Sequence, residues 1–379
     1  MADTVQLHTA RTFEIDPDPA RSWTLPGWAY TDPAVLEREK REIFYKTWHY
    51  AGAVDELKEP GDYVTAKLLD QSVIVIRGKD GGLRGFYNVC QHRAHELLRG
   101  RGRATAIVCP YHAWSFDTAG ALRTARGAEK LENFRREDFA LKEIRVEVFA
   151  KHFVMFNLDL DAVPLAEQAG DLAAELEAEI PGFADFVQAG TAWDQQVKAN
   201  WKVVVDNYLE CYHCRPAHPA FADLVDMKSY KIHAGGIWSS QKGAMGRHDN
   251  KAYPVAADAK VQLSRFWWLW PTTSFNVTPG QPSLNVFCMM PVETGVARQW
   301  GQLFEMPGNR PDPARQTYGV EVLGPEDVGL CEAVQRGLQS RGYTAGRFIH
   351  DPEGGETTEA AVHHFHKMVD EALGMNGLK

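Results

Sequence analysis

Residues 87–95 read Tyr87-Asn88-Val89-Cys90-Gln91-His92-Arg93-Ala94-His95, and residues 107–116 read Ile107-Val108-Cys109-Pro110-Tyr111-His112-Ala113-Trp114-Ser115-Phe116. The pattern is Cys-x-His, sixteen intervening residues, then Cys-x-x-His. Four unrelated residues rarely fall into two such pairs by chance. Two thiolates and two imidazoles on short loops can hold a tetrahedral zinc. They can equally hold a two-iron cluster, with thiolates on one iron and imidazoles on the other. Each pair follows a short apolar run, so each loop is expected to hang from a strand.

Working outward, the same grammar continues. Tyr63–Leu68 and Ser72–Arg77 alternate as strands, Lys79-Asp80-Gly81-Gly82 is a turn, and Leu83–Val89 is the next strand. Ile107-Val108, Trp114–Phe116 and Phe153–Leu158 extend the series into a small antiparallel sandwich over residues 46–158. Before it, Asp32-Pro33 pairs an N-cap with proline at the first helical position, opening a helix to about Lys46. After it come an acidic helix at Leu165–Ile180, a helix over Asn200–Tyr212, and strands at Ala192–Val197, Arg265–Val277, Ser283–Met290 and Gly301–Glu305. Helices at Pro325–Arg341 and Thr358–Leu373 follow, so the fold class is α+β.

Composition sets the outer limits. With 379 residues, 44% apolar, the chain can bury a large core without disulfide staples. A net charge of −9 argues against nucleic acid and against anionic membrane surfaces. No run reaches the ~20 apolar residues of a membrane span. Met1-Ala2-Asp3-Thr4 carries neither basic nor apolar leader character, which points to the cytoplasm. In that compartment the six cysteines are expected as ligands or buried thiols, Cys211 and Cys214 among the thiols.

A second constellation lies at Asn207-Tyr208-Leu209-Glu210-Cys211-Tyr212-His213-Cys214-Arg215-Pro216-Ala217-His218-Pro219. The prolines end the helix, leaving His213 at its end and His218 on the following turn. Two imidazoles plus one carboxylate form a facial triad with open positions for O2 on ferrous iron. The third ligand is sought in Gly324-Pro325-Glu326-Asp327. Glu326 reads as a complement to the helix dipole. Asp327 leads a stripe through Cys331, Val334 and Leu338 that should face the core, where a carboxylate needs a partner. His363, His364 and His366 read as a helix face.

The strings CQHRAHELLRG and CPYHAWSF, the later Asn200-Trp201-Lys202, NYLECYHC…HP, Trp268-Leu269-Trp270-Pro271 and EDVGLCEAVQRGL together resemble the alpha subunit of Rieske non-haem iron oxygenases. The resemblance covers nearly the whole chain. It implies a Rieske domain (46–158) inserted into a helix-grip-like catalytic domain formed by 1–45 and 159–379. It implies that Cys90, His92, Cys109 and His112 hold a [2Fe-2S] cluster, with Tyr111 and Trp114 shielding it. His213, His218 and Asp327 would hold a mononuclear Fe(II). Asn207 and Glu210 would serve catalysis, Glu210 as an electron-transfer bridge between subunits of a homotrimer. O2 would be the co-substrate, and a flavin/iron–sulfur reductase would deliver electrons from NAD(P)H.

Glu at position 210, with the terminal VHHFH, resembles the branch acting on quaternary ammonium compounds. That favours N-demethylation of proline betaine or glycine betaine, with carnitine or choline oxidation, or hydroxylation of an aromatic or other small organic acid, as the alternatives. Aromatic faces stabilise such cations, and Tyr208, Trp268, Trp270 and Phe287 are the candidate walls. Arg215, Lys228, Arg247 and His233 are candidates for a substrate carboxylate.

Overall fold

The computed structural model describes residues 15–375. The N-terminal leader reading at Met1–Thr4 lies outside them. Two seven-stranded antiparallel sheets dominate. The first runs in the order 49–53, 153–157, 143–149, 83–87, 71–77, 62–68, 101–103. A three-stranded sheet of 107–108, 115–116 and 122–124 lies beside it. The second large sheet runs 187–197, 296–305, 283–293, 273–277, 263–269, 238–244, 231–235. Helices accompany the second sheet, so the α+β reading holds. Among the described residues, no helix is long and apolar enough to cross a membrane.

The helix expected over Asn200–Tyr212 ends at Tyr208, and Pro216 lies inside a separate short helix, Cys214–Ala217, instead of ending the first. Two other expected elements divide. The acidic helix is two short ones, Leu165–Gln168 and Leu172–Glu179, broken at Gly170 with φ +57°. A left-handed residue cannot continue a right-handed helix. Arg265–Val277 is a hairpin, Leu263–Leu269 against Thr273–Val277, and it turns at the cis Trp270–Pro271 bond.

The back face of the second sheet packs on the first. Phe153 meets Phe275 at 4.8 Å and Phe304 at 5.4 Å between ring centroids, and Tyr50 donates its hydroxyl hydrogen bond to Gln302. The front face carries the helix Trp201–Tyr208. Asn200 caps it by accepting from the Lys202 amide at 2.9 Å. Lys202 and Glu39, both fully buried, pair with each other, and Trp201 Nε1 donates to the same Glu39 at 2.8 Å. A buried pair held this way is costly to break from either side, so the helix is fixed against the N-terminal helix Pro33–Glu42.

The last helix, Ala360–Leu373, is fastened by its histidines. His366 Nε2 donates to Asp206 at 2.9 Å and its Nδ1 accepts from the Leu25 amide at 3.0 Å. His363 Nε2 donates to the Asp16 carbonyl and His364 Nε2 to that of Gly236. The helix-face reading of this cluster therefore stands.

Candidate metal centres and substrate cavity

The two Cys–His loops are conformational twins. Cys90 donates its amide to the His95 carbonyl at 2.9 Å and accepts from the Ala94 amide at 3.0 Å. Cys109 donates to the Trp114 carbonyl at 2.8 Å and accepts from the Ala113 amide at 3.0 Å. Ala94 and Ala113 both take left-handed backbone, φ +56° and +58°. Alanine adopts that region at a cost, and its occurrence at matched positions marks loops shaped for a site.

The loops bring together the donors that the sequence singles out. Cys90 and Cys109 are buried and unbridged, and burial raises the Cys90 thiol above its ordinary value. His92 and His112 lie 4.7 Å apart between centroids. Trp114, buried, stacks on His92 at 4.7 Å. Tyr111 covers His112 from the solvent side, at 3.7 Å and half exposed, and Arg93 sits over Tyr111 at 5.5 Å. Two thiols inside and two imidazoles at the rim form a polarised donor set. It fits a cluster with thiolates on one iron and imidazoles on the other.

The second set converges from distant segments. His218 Nε2 lies 2.9 Å from Asp327 Oδ1, and His213 Nε2 lies 3.5 Å from the same oxygen. The candidate ligand atoms of His213, His218 and Asp327 all fall within 4.8 Å of one another. The other ring nitrogens are held by carboxylates. His213 Nδ1 donates to Glu210, and His218 Nδ1 donates to Glu326 Oε2 at 2.8 Å. Both imidazoles thus present Nε2 to one point, with tautomer and orientation fixed from behind, as metal-binding histidines require.

The sequence reading missed Glu326. Its place in a first helical turn looked sufficient, and only tertiary contact shows its second duty.

Electrostatics follows from this geometry. Burial pulls His213 down, but Asp327 and Glu210 outweigh it and hold the imidazole up at about 9. His218 is raised in the same way, against burial, chiefly by Asp327. Burial pushes Asp327 up, and the two imidazoles more than reverse this, leaving it below its ordinary value. A cation would replace the shared protons in this negative, imidazole-lined cleft.

Asp327 opens a helix whose inward row differs from the expected stripe. Cys331 and Gln335 are buried, whereas Val334 is half exposed. The row runs at i, i+4, i+8, one of the two natural ridges of a helix. Gln335 uses its place to accept from the Asn200 amide at 2.7 Å.

Cys211 and Cys214 correct the thiol reading, because they form a disulfide across His213. Their spacing over a helix-end turn brings the Cα atoms to 4.9 Å, within bridging range.

A cavity of about 280 Å³ adjoins the second set, and Glu210, His213, His218 and Asp327 all contribute to its wall. Asn207, Tyr208 and Phe287 line it. Tyr208 and Phe287 meet at 5.4 Å, and Trp193 meets Phe287 at 5.4 Å, forming an aromatic corner. The Tyr208 hydroxyl is anchored on Asn276 Oδ1 at 2.6 Å.

Trp268 and Trp270 do not line the cavity. They pack on Phe365 of the last helix at 5.5 and 6.0 Å and belong to the core. Phe266, on the same strand face, does reach the cavity. The helix covers one end of that face and leaves the other open. Arg215 pairs with Glu356 and Arg247 with Asp249, and neither they nor Lys228 and His233 line the cavity.

Comparison with known proteins agrees on both halves. The family described as Rieske [2Fe-2S] domain matches residues 47–135. The family described as ring hydroxylating alpha subunit (catalytic domain) matches residues 183–375. The carnitine monooxygenase oxygenase subunit of Acinetobacter pittii is 38% identical, over 93% of this chain and 95% of that protein. Its counterpart in Escherichia coli K12 is 36% identical, over 94% and 95%. The crystal structure of a quaternary ammonium Rieske monooxygenase in complex with L-carnitine superposes with a TM-score of 0.84 at 36% identity, over 95% of this chain and 99% of that one. With both halves matched and such relatives spanning almost its full length, the chain belongs to the Rieske non-haem iron oxygenases, enzymes that carry a [2Fe-2S] cluster and a mononuclear iron and use O2 with electrons from NAD(P)H delivered through a reductase.

Proposed function

We propose that this oxygenase subunit hydroxylates a chain methylene carbon, rather than an N-methyl carbon, bonded to the quaternary nitrogen of a carnitine- or choline-like compound. The observation that carries the reading is the aromatic corner of Trp193, Tyr208 and Phe287 in the same cavity as the converging His213, His218 and Asp327. A trimethylammonium group has no hydrogen to donate, so aromatic faces are its natural partners, worth roughly 0.5–2 kcal/mol each. The relatives are carnitine monooxygenases and, at 29% identity, the choline monooxygenase of Beta vulgaris. They favour this chemistry over N-demethylation of proline betaine or glycine betaine.

In this reading Cys90, Cys109, His92 and His112 hold the cluster, and His213, His218 and Asp327 hold the mononuclear iron. When bound, these groups supply stored electrons and an open ferrous face for O2. The chain's own residues do the rest. The aromatic corner positions the nitrogen, the apolar wall excludes water, and Glu210 and Glu326 keep both imidazoles aimed. Glu210 also stands as the proposed bridge between subunits of a homotrimer, and a separate flavin/iron–sulfur reductase is the proposed electron donor.

Hydroxylation beside nitrogen gives a product that collapses by C–N cleavage, releasing an amine and an aldehyde. The test is purified holoenzyme with a reductase, NADH, O2 and a panel of carnitine, choline, glycine betaine and proline betaine. Consumption of carnitine or choline with matching O2 uptake and trimethylamine release supports the reading. Turnover confined to the other two, with formaldehyde release, would replace it with N-demethylation.

A further inference from the structure

We propose that Arg315 receives the anionic end of the substrate, so that the cavity favours a trimethylammonium compound that carries a carboxylate over one that does not. The inference deepens the functional reading above and rests on it.

Among the described lining residues, Arg315 is the one lysine or arginine. It is largely buried, with a side chain 13% exposed. Asp312 accepts hydrogen bonds from the amides of Ala314 at 2.9 Å and Arg315 at 3.3 Å, which fixes the helix turn that carries it. Its Nη1 donates to the Gln281 carbonyl at 3.1 Å. Its Nη2 stands 3.7 Å from Glu305 Oε1, too far for a hydrogen bond, and that oxygen is buried without a hydrogen-bond partner. A guanidinium has five N–H donors in a planar fork suited to a carboxylate. Most of them remain uncommitted here. Burial also lifts Glu305 to about 7, so at neutral pH its carboxylate only partly offsets the guanidinium.

The experiment compares wild type, Arg315→Gln and Arg315→Lys as cluster-loaded holoenzyme on γ-butyrobetaine and on choline, which lacks the carboxylate. In Arg315→Gln, the ratio of kcat/KM for γ-butyrobetaine over choline should fall about 10- to 100-fold, the size of a lost charge-assisted hydrogen bond, mainly through KM. Arg315→Lys, which keeps charge and bulk, should lose less and guards against failure to fold. An unchanged ratio in both variants overturns the assignment while leaving the functional reading intact. Wild-type enzyme that consumes no trimethylammonium compound overturns both.

Discussion

The two candidate metal centres are built in opposite ways. The Cys–His loops lie within residues 90–114 and repeat one backbone design, down to left-handed Ala94 and Ala113. The His–His–Asp set joins positions 213 and 218 to position 327 through the packing of separate helices. A site made of neighbouring residues is written in local sequence. A site made of distant ones depends on everything that fixes the helices, here the buried Glu39–Lys202 pair and the Asn200–Gln335 hydrogen bond.

The largest expected effect separates the two centres. Asp327→Ala or His213→Ala should abolish turnover and leave the cluster absorption and its reduced EPR signal unchanged. Cys90→Ala should remove both. Loss of the cluster signal in Asp327→Ala would break the claim that the centres are independently built.

A second contrast concerns protonation. His213 and His218 are flanked by carboxylates and held up, whereas His49 on the first sheet is fully enclosed without one. Burial drives His49 down to about 4. Its folded value is therefore below its unfolded value of 6.5, and the unfolded chain binds the extra proton between them. Stability is full above about pH 6.5 and declines as pH falls toward 4, by up to about 3 kcal/mol for this group. Denaturation midpoints of wild type and His49→Gln should converge across that window. Parallel curves would remove His49 from the account.

Smaller still is the effect of support behind a ligand. Glu326→Ala frees the His218 ring, and iron affinity should fall about 10- to 100-fold. An iron titration checks it, and affinity equal to wild type would return Glu326 to the helix dipole alone.

The smallest effect sharpens the distinction between wall and core. Trp193→Ala should weaken a trimethylammonium compound by roughly 0.5–2 kcal/mol more than its uncharged isostere. Trp268→Ala should lower stability without that selectivity. Equal losses for cation and isostere in Trp193→Ala would mean that the aromatic corner is packing.

Much of this was legible in sequence. Period-two strands, Gly turns and the paired Cys–His loops are local signals, and they located the candidate cluster donors and the α+β class. His213, His218, Asp327, Tyr208 and Phe287 were also reachable, because closely spaced histidines beside prolines and a carboxylate at the head of a helix are local features, although Pro216 lies inside the short helix Cys214–Ala217 and does not end the one before it. Trp193 carried a weak signal, one aromatic in a polar strand.

What tertiary structure alone decided depends on which neighbour covers which face. Trp268, Trp270 and Phe266 share a strand face, yet the last helix buries two of them and leaves the third in the cavity. Glu326 and Arg315 look like ordinary surface charges until the turn that carries His218 and the sheet that carries Glu305 meet them. Cys211 and Cys214 become a disulfide through the turn that separates them. Sequence fixes what each residue can donate, accept or bury, because that chemistry is intrinsic. Partners distant in the chain are chosen only when the core closes, because packing is collective.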